Sequence, residues 1–155
     1  MRILVSACLL GVKCRYDGKS KACERVLRMA QEHMLVPVCP EQLGGLATPR
    51  SPAEIQGERV RCQTGADVTA AYRRGAEQAL FLYRTLGCEM AILKSRSPSC
   101  GCGQVYDGSF TGALIPGDGI TAHLLRENGI PIFTEMDVTA DFGPPLLGRG
   151  KRETP

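Results

Sequence analysis

The sequence predicts an α/β fold, a single domain with a largely parallel, open, Rossmann-like sheet flanked by helices. Three observations carry this expectation. Short, β-branched apolar runs alternate with segments of helical periodicity. Such alternation implies parallel strands joined by right-handed crossovers. A chain of 155 residues can also bury one full core without disulfide staples.

The elements follow in order. Residues 3–7 read as the first strand, which ends at Cys8 in the turn-rich segment LLGVKCRYDGKS. A helix is expected over 20–33, where Ala22, Val26, Met29, Ala30 and His33 recur at helical spacing. Residues 34–38 form the second strand, ending at Cys39 and Pro40. Residues 40–52 are rich in Gly and Pro and read as a long loop, a feature compact domains usually keep for function. A hairpin is expected around Gln56-Gly57. A long helix then starts near an Asp67 or Thr69 cap and runs to Leu86, with Gly87 stopping it. The third strand spans 90–94 and enters the loop SRSPSCGCG. A hairpin-like stretch at 104–115 and a helix over 120–128 follow, and the fourth strand is 130–133. The domain is expected to occupy residues 1–142, with 143–155 a tail that is poorly ordered at its end.

Composition narrows the function. With 43% hydrophobic residues, 23% charged residues and a net charge of +3, the chain is ordinary for a globular protein. The small positive charge suits a small anionic substrate as well as a nucleic acid, but no dense Lys/Arg run argues for the latter. No apolar run approaches the roughly 18 residues of a membrane span. The N-terminal MRILVSACLL also lacks a signal-peptide cleavage site. The protein therefore reads as cytosolic, where thiols stay reduced. Its eight cysteines then call for metal binding or thiol chemistry.

Cys8, Cys39 and Cys100 each lie in a loop that follows a strand. Parallel α/β sheets bind ligands just beyond the carboxyl ends of their strands. Three cysteines scattered along the chain can therefore meet in one metal site. The spacings do not match a zinc finger, and thiolate-rich sites accept either zinc or iron–sulfur. Cys14 and Cys102 are each a fourth ligand, a thiol nucleophile or a bystander. Cys23, Cys62 and Cys88 read as small buried hydrophobes, and His33 and His123 as structural. Asp17 in RYDG reads as a turn residue. Glu41 shares a loop with Cys39 and is a candidate for acid–base work. Ser97 and Ser99 flank Pro98 beside Cys100, and Arg15, Arg50, Lys94 and Arg96 are basic rim residues suited to an anion.

The blocks SACLLGVKCRYDG, VPVCPEQLGGLATPRSPAEIQG and LKSRSPSCG resemble, in this order, the signature blocks of a family of small bacterial iron–sulfur proteins. That family includes thiouracil desulfidase. The resemblance extends through IPIFTE near the end and matches a stand-alone form, without the additional domain of longer relatives that act on thiolated tRNA. It implies a [4Fe–4S] cluster held by Cys8, Cys39 and Cys100, with the fourth iron open as a Lewis acid. It further implies that Glu41 and Ser97 or Ser99 assist. The implied reaction is a non-redox conversion of 4-thiouracil, or its nucleotide 4-thio-UMP, to the oxygen analogue and hydrogen sulfide. The expected partner is a small thiolated pyrimidine base or nucleotide rather than tRNA or a membrane. Two other readings compete: a structural or sensory metal protein closed by a fourth thiolate, and a metal-free thiol protein that carries sulfur on Cys100 and Cys102.

Overall fold

The computed structural model describes residues 1–139, so the expected tail from residue 143 lies outside the described residues. Among those residues, strands β1 (Arg2–Ser6), β2 (Met34–Val38), β5 (Met90–Leu93) and β8 (Ile132–Thr134) form one parallel sheet in the order β2-β1-β5-β8. β1 and β5 are central and buried on both faces, which is why their sequences are continuous apolar runs without alternation. Edge strand β2 tolerates Pro37, whose missing N–H would break a ladder deeper in the sheet. The expected parallel α/β fold is the one observed.

Each face of the sheet has its own packing layer. Ile3, Val5, Met90 and Ile92 pack on one face with Val26 of helix α1 (Glu24–Arg28) and Met29. Leu4, Ala91 and Leu93 pack on the other. There they meet Ala79 and Leu80 of helix α3 (Thr69–Thr85) and Ala122 and Leu125 of helix α4 (Ile120–Glu127). Each fully buried Val, Leu, Ile or Met among them contributes about 1.5–3 kcal/mol. β2 lies on one side of β1 and β5 on the other, so the strand order reverses there. This opens a crevice at their carboxyl ends.

Two hairpins lie outside the sheet. One is β3 (Ala53–Gln56) with β4 (Arg59–Cys62), and the other is β6 (Gln104–Tyr106) with β7 (Leu114–Pro116). Both were expected. Among the described residues no helix is long and apolar enough to cross a membrane.

The structure corrects three boundaries. The helix expected over 20–33 is only α1 plus a 3-10 turn at Met29–Gln31, and Cys23 precedes it in extended conformation. The N–H groups of Lys21 and Cys23 donate to the carbonyls of Cys8 and Leu9, both at 2.9 Å. This tertiary pairing holds residues 21–23 out of the helix. The expected loop at 40–52 opens with a one-turn helix, α2 (Pro40–Leu43), with Pro40 in the first-turn position that suits proline. The last strand is shifted to 132–134. Ile130 N donates to Leu125 O at 3.1 Å and closes α4, and Pro131 has no N–H to give a ladder.

Helices α2 and α3 cross at backbone contact. A Cβ on Gly75 would run into the carbonyl of Pro40, and one on Gly44 into that of Ala71. Arg74 donates from Nε and Nη2 to Gly44 O (3.1 and 2.9 Å) and ties down the end of α2. The short helix carrying Glu41 is thereby fixed on the long one.

Candidate active site

A cavity of about 630 Å³ opens at the carboxyl edge of the sheet, and Cys8, Cys14, Cys39 and Cys100 line it together with Glu41 and Ser99. Each cysteine is positioned by the backbone just past a strand. Cys8 lies in a single 3-10 turn, Ala7–Leu10, directly after β1. Cys39 is the extended residue between β2 and α2, a conformation that the following proline favours. Cys100 sits in the loop after β5. There Ser97 Oγ accepts from the N–H of Ser99 (3.1 Å) and of Cys100 (3.0 Å), folding the loop into a turn. The loop also supplies acceptors for the first turn of α4: Ile120 N donates to Pro98 O (2.9 Å) and Thr121 N to Ser99 O (2.8 Å). Those helix-terminal donors would otherwise be orphaned. Gly119 permits this approach, since a Cβ there would lie 2.6 Å from Ser99 O.

Cys14, left open by the sequence, joins this cavity. Cys39 Sγ donates to Cys14 O at 3.7 Å. Cys102 does not join it. It lines a neighbouring cavity, and Arg126 Nη2 lies 3.1 Å from its sulfur. Cys88 belongs to the core and Cys23 packs against it. Burial pushes the Cys100 thiol up to about 12, although the hydroxyls of Ser6 and Ser99 draw it down. Cys39 is pushed up by its contact with Cys14 and then by burial. The bond from Cys39 lowers Cys14, but Cys8 and burial outweigh it and the net shift is upward.

Glu41 is the centre of the polar network. Its Oε1 accepts from Tyr72 Oη at 2.7 Å and from Arg50 Nε at 3.2 Å. Its Oε2 accepts from Ser99 Oγ at 3.1 Å, and Ser99 Oγ lies 3.7 Å from Cys100 Sγ. Tyr72 is 1% exposed, and burial followed by the Glu41 carboxylate raises its phenol far above the ordinary range. The two serines thus differ: Ser97 folds the loop and hydrogen-bonds the Ser99 hydroxyl (3.0 Å), whereas Ser99 itself reaches the carboxylate and lies against the thiol.

The four basic residues read as suited to an anion, Arg15, Arg50, Lys94 and Arg96, all line the cavity, and two of them are braced there by carboxylates. Besides Glu41, Arg50 donates to Ala47 O, Thr48 Oγ1 and Cys14 O (3.1, 2.9 and 2.8 Å), and its side chain is 9% exposed. Lys94 Nζ donates to Glu135 Oε1 (2.7 Å) and to Ser95 Oγ and O (2.9 and 3.2 Å). Both are braces of the site. Arg15 and Arg96 line the cavity. Arg15 stacks 5.6 Å from the Tyr16 ring centroid and is 3.9 Å from Asp17.

Sequence reasoning missed Tyr72, Glu135 and Ser6. Tyr72 lay on the apolar face of its helix, but a buried phenol needs a partner, and that need was the available signal. Glu135 directly follows β8, so the strand-end rule that found the cysteines also applied to it. Ser6 Oγ accepts from Lys94 N at 2.8 Å and ties the ends of β1 and β5 together.

Residues 3–137 match the 2-thiouracil desulfurase family. The chain belongs to this family. The resemblance carried by the three sequence blocks therefore holds over nearly all of the described residues. A relative of the chain is YbbK of Bacillus subtilis (strain 168), described as uncharacterized. It is 40% identical over 146 residues, covering 88% of this chain and 97% of that protein. Among solved structures, the chain is similar to the [4Fe-4S]-dependent thiouracil desulfidase TudS. Identity is 48%, the TM-score is 0.84, and the match covers 88% of this chain and 92% of that one.

The donor set tests whether an iron–sulfur cluster fits. Thiols from the ends of three adjacent strands line one cavity, and thiolate is the ligand such clusters take. The residues present, three cavity-lining thiols with the Glu41 carboxylate and the Ser99 hydroxyl beside them, fit such a cluster by their chemistry.

Proposed function

We propose that this protein is a [4Fe–4S]-dependent desulfidase that hydrolyses a thiolated pyrimidine, 4-thiouracil or its nucleotide 4-thio-UMP, to the oxygen analogue and hydrogen sulfide. The observation that carries this reading is the convergence of Cys8, Cys39 and Cys100 with Glu41 and Ser99 in one cavity. Membership of the 2-thiouracil desulfurase family and the 48% identity to TudS support it.

Cys8, Cys39 and Cys100 would hold the cluster. When bound with only three protein thiolates, it supplies an open iron as a soft Lewis acid for a thiocarbonyl. The remaining work falls to the chain. Tyr72 and Arg50 hold Oε1 of Glu41, which leaves Oε2 as the oxygen free to exchange protons through Ser99. Glu41 takes a proton from the attacking water, whose oxygen bonds to the thione carbon as the carbon–sulfur bond breaks. That proton returns to the departing sulfur, and the second water proton follows it as the new carbon–oxygen bond becomes C=O, so C=S and H₂O become C=O and H₂S with no net electron transfer. Arg15 and Arg96 at the rim hold the phosphate when the substrate is a nucleotide.

The test is anaerobic turnover by iron- and sulfide-reconstituted protein in ¹⁸O-labelled water. The expected result is loss of thione absorbance, equimolar sulfide and one ¹⁸O in the product. Thiones left intact, or turned over equally by iron-free protein, would overturn the proposal.

A further inference from the structure

Among the described residues, two that are not glycine have positive φ, Arg96 at 64° and Phe110 at 58°. Both line the cavity that holds the thiols. A bulky residue disfavours this left-handed backbone, and it persists only where the surroundings over-determine it. At Phe110 those surroundings are specific. Glu54 on β3 is 8% exposed. Its Oε1 accepts from the N–H of Gly108 (3.0 Å) and of Phe110 (3.2 Å). Gln56 Nε2 donates to Gly108 O at 2.8 Å. A Cβ on Gly108 would lie 2.7 Å from Ile55 O, so the loop lies directly against β3. One hairpin therefore grips the tip of the other with a buried carboxylate, a group costly to desolvate. Glu54 has no hydrogen bond to Glu41, Ser99 or the thiols, so the mechanism leaves it without a task. Its grip fixes an aromatic ring, half-buried, on the wall of a cavity that also presents thiols, hydroxyls, carboxylates, basic side chains and the rings of Tyr16 and Tyr106, which no such buried carboxylate among the described residues holds.

We propose that Phe110 is a specificity-determining residue that receives the face of a planar heteroaromatic thione, and that Glu54 is the positioning residue that holds it. The identity of the ring rests on the desulfidase reading; the platform itself rests on the hairpin geometry. The site then favours cyclic, planar thiones over acyclic thioamides such as thioacetamide, which present the same C=S without a ring to stack.

The experiment uses cluster-loaded protein and 4-thiouracil. Phe110→Ala should raise KM roughly tenfold, at the low end of what a stacked base loses when its aromatic partner is removed, while kcat stays within about twofold. Phe110→Tyr should restore the wild-type KM. Glu54→Ala should reproduce the KM defect and speed hydrogen exchange at the Gly108 and Phe110 amides. Glu54→Gln, whose amide oxygen accepts the same two N–H groups, should do neither. An unchanged KM in Phe110→Ala overturns the proposal, as does a loosened loop in Glu54→Ala with KM unchanged. Should Phe110→Ala not fold, Phe110→Leu keeps the bulk, removes the π face and is held to the same criterion. If wild-type protein turns over no thione, the desulfidase reading falls and calorimetric binding of 4-thiouracil decides the platform. Tenfold weaker binding in the Phe110 variant carries it, and equal binding overturns it.

Discussion

Replacing Gly75 with alanine sets two effects of opposite sign against each other. Gly75 lies inside α3, and by helix propensity alone an alanine there stabilises by about 1 kcal/mol. The structure predicts the reverse. The new Cβ would run into the carbonyl of Pro40, a backbone atom that cannot rotate aside, so α2 and α3 must part. Overpacking of this kind costs about 1–3 kcal/mol, and a rigid backbone obstacle puts it near the top of that range. The net expectation is a loss of roughly 1–2 kcal/mol, or about 3–6 °C in Tm for a chain of this length. The functional consequence is larger. α2 carries Glu41 and starts at Cys39, so a shift on the order of 1 Å moves both and should lower kcat/KM about 100-fold. Calorimetry and steady-state turnover of the reconstituted protein measure the two effects. A higher Tm with unchanged kcat/KM would refute the reasoning and return Gly75 to an ordinary helix position.

Other perturbations separate roles within the site. Ser99→Ala should keep the fold and iron content but cut kcat about 100-fold, because its hydroxyl joins Glu41 to Cys100. Ser97→Ala should instead destabilise by about 1 kcal/mol and reduce iron content, since two backbone N–H groups lose their acceptor. Arg96→Ala and Arg15→Ala should each raise KM for 4-thio-UMP several-fold yet leave KM for free 4-thiouracil unchanged, as paired assays on the two substrates would show. At Glu135, burial pushes the carboxyl up, but Lys94 and Ser95 outweigh it and hold it below 4.5. Its contribution to stability is therefore complete above pH 4.5 and lost as pH falls through the depressed folded value. Urea midpoints measured from pH 6 down to pH 3 should fall less steeply in Glu135→Gln than in wild type.

The sheet was legible in the sequence because buried parallel strands are short continuous apolar runs, and the residues after them mark the functional edge. That rule brought Cys8, Cys39 and Cys100 to one cavity, with Glu41 and Ser99 beside them. What escaped the sequence depends on partners distant along the chain. Helical spacing at 22–33 was read as a long helix, but the carbonyls of Cys8 and Leu9 capture the backbone at 21–23. The sequence offered Arg50 and Lys94 as basic rim residues but not the ion pairs with Glu41 and Glu135 that brace them in the cavity. Tyr72 escaped because periodicity sees its ring and not its hydroxyl. Neither the grip of Glu54 nor the strain at Phe110 has a local signature, since each exists only where two hairpins meet.

The central claim is that three thiolates, and not four, hold the cluster. It is tested most directly by iron content per chain after anaerobic reconstitution of Cys8→Ala, Cys39→Ala, Cys100→Ala, Cys14→Ala and Cys23→Ala. The account predicts that the first three lose the cluster and its visible absorbance, and that the Cys14 and Cys23 variants keep wild-type iron. Loss of the cluster in Cys14→Ala as complete as in the other three would contradict it, and would point to a closed four-thiolate centre.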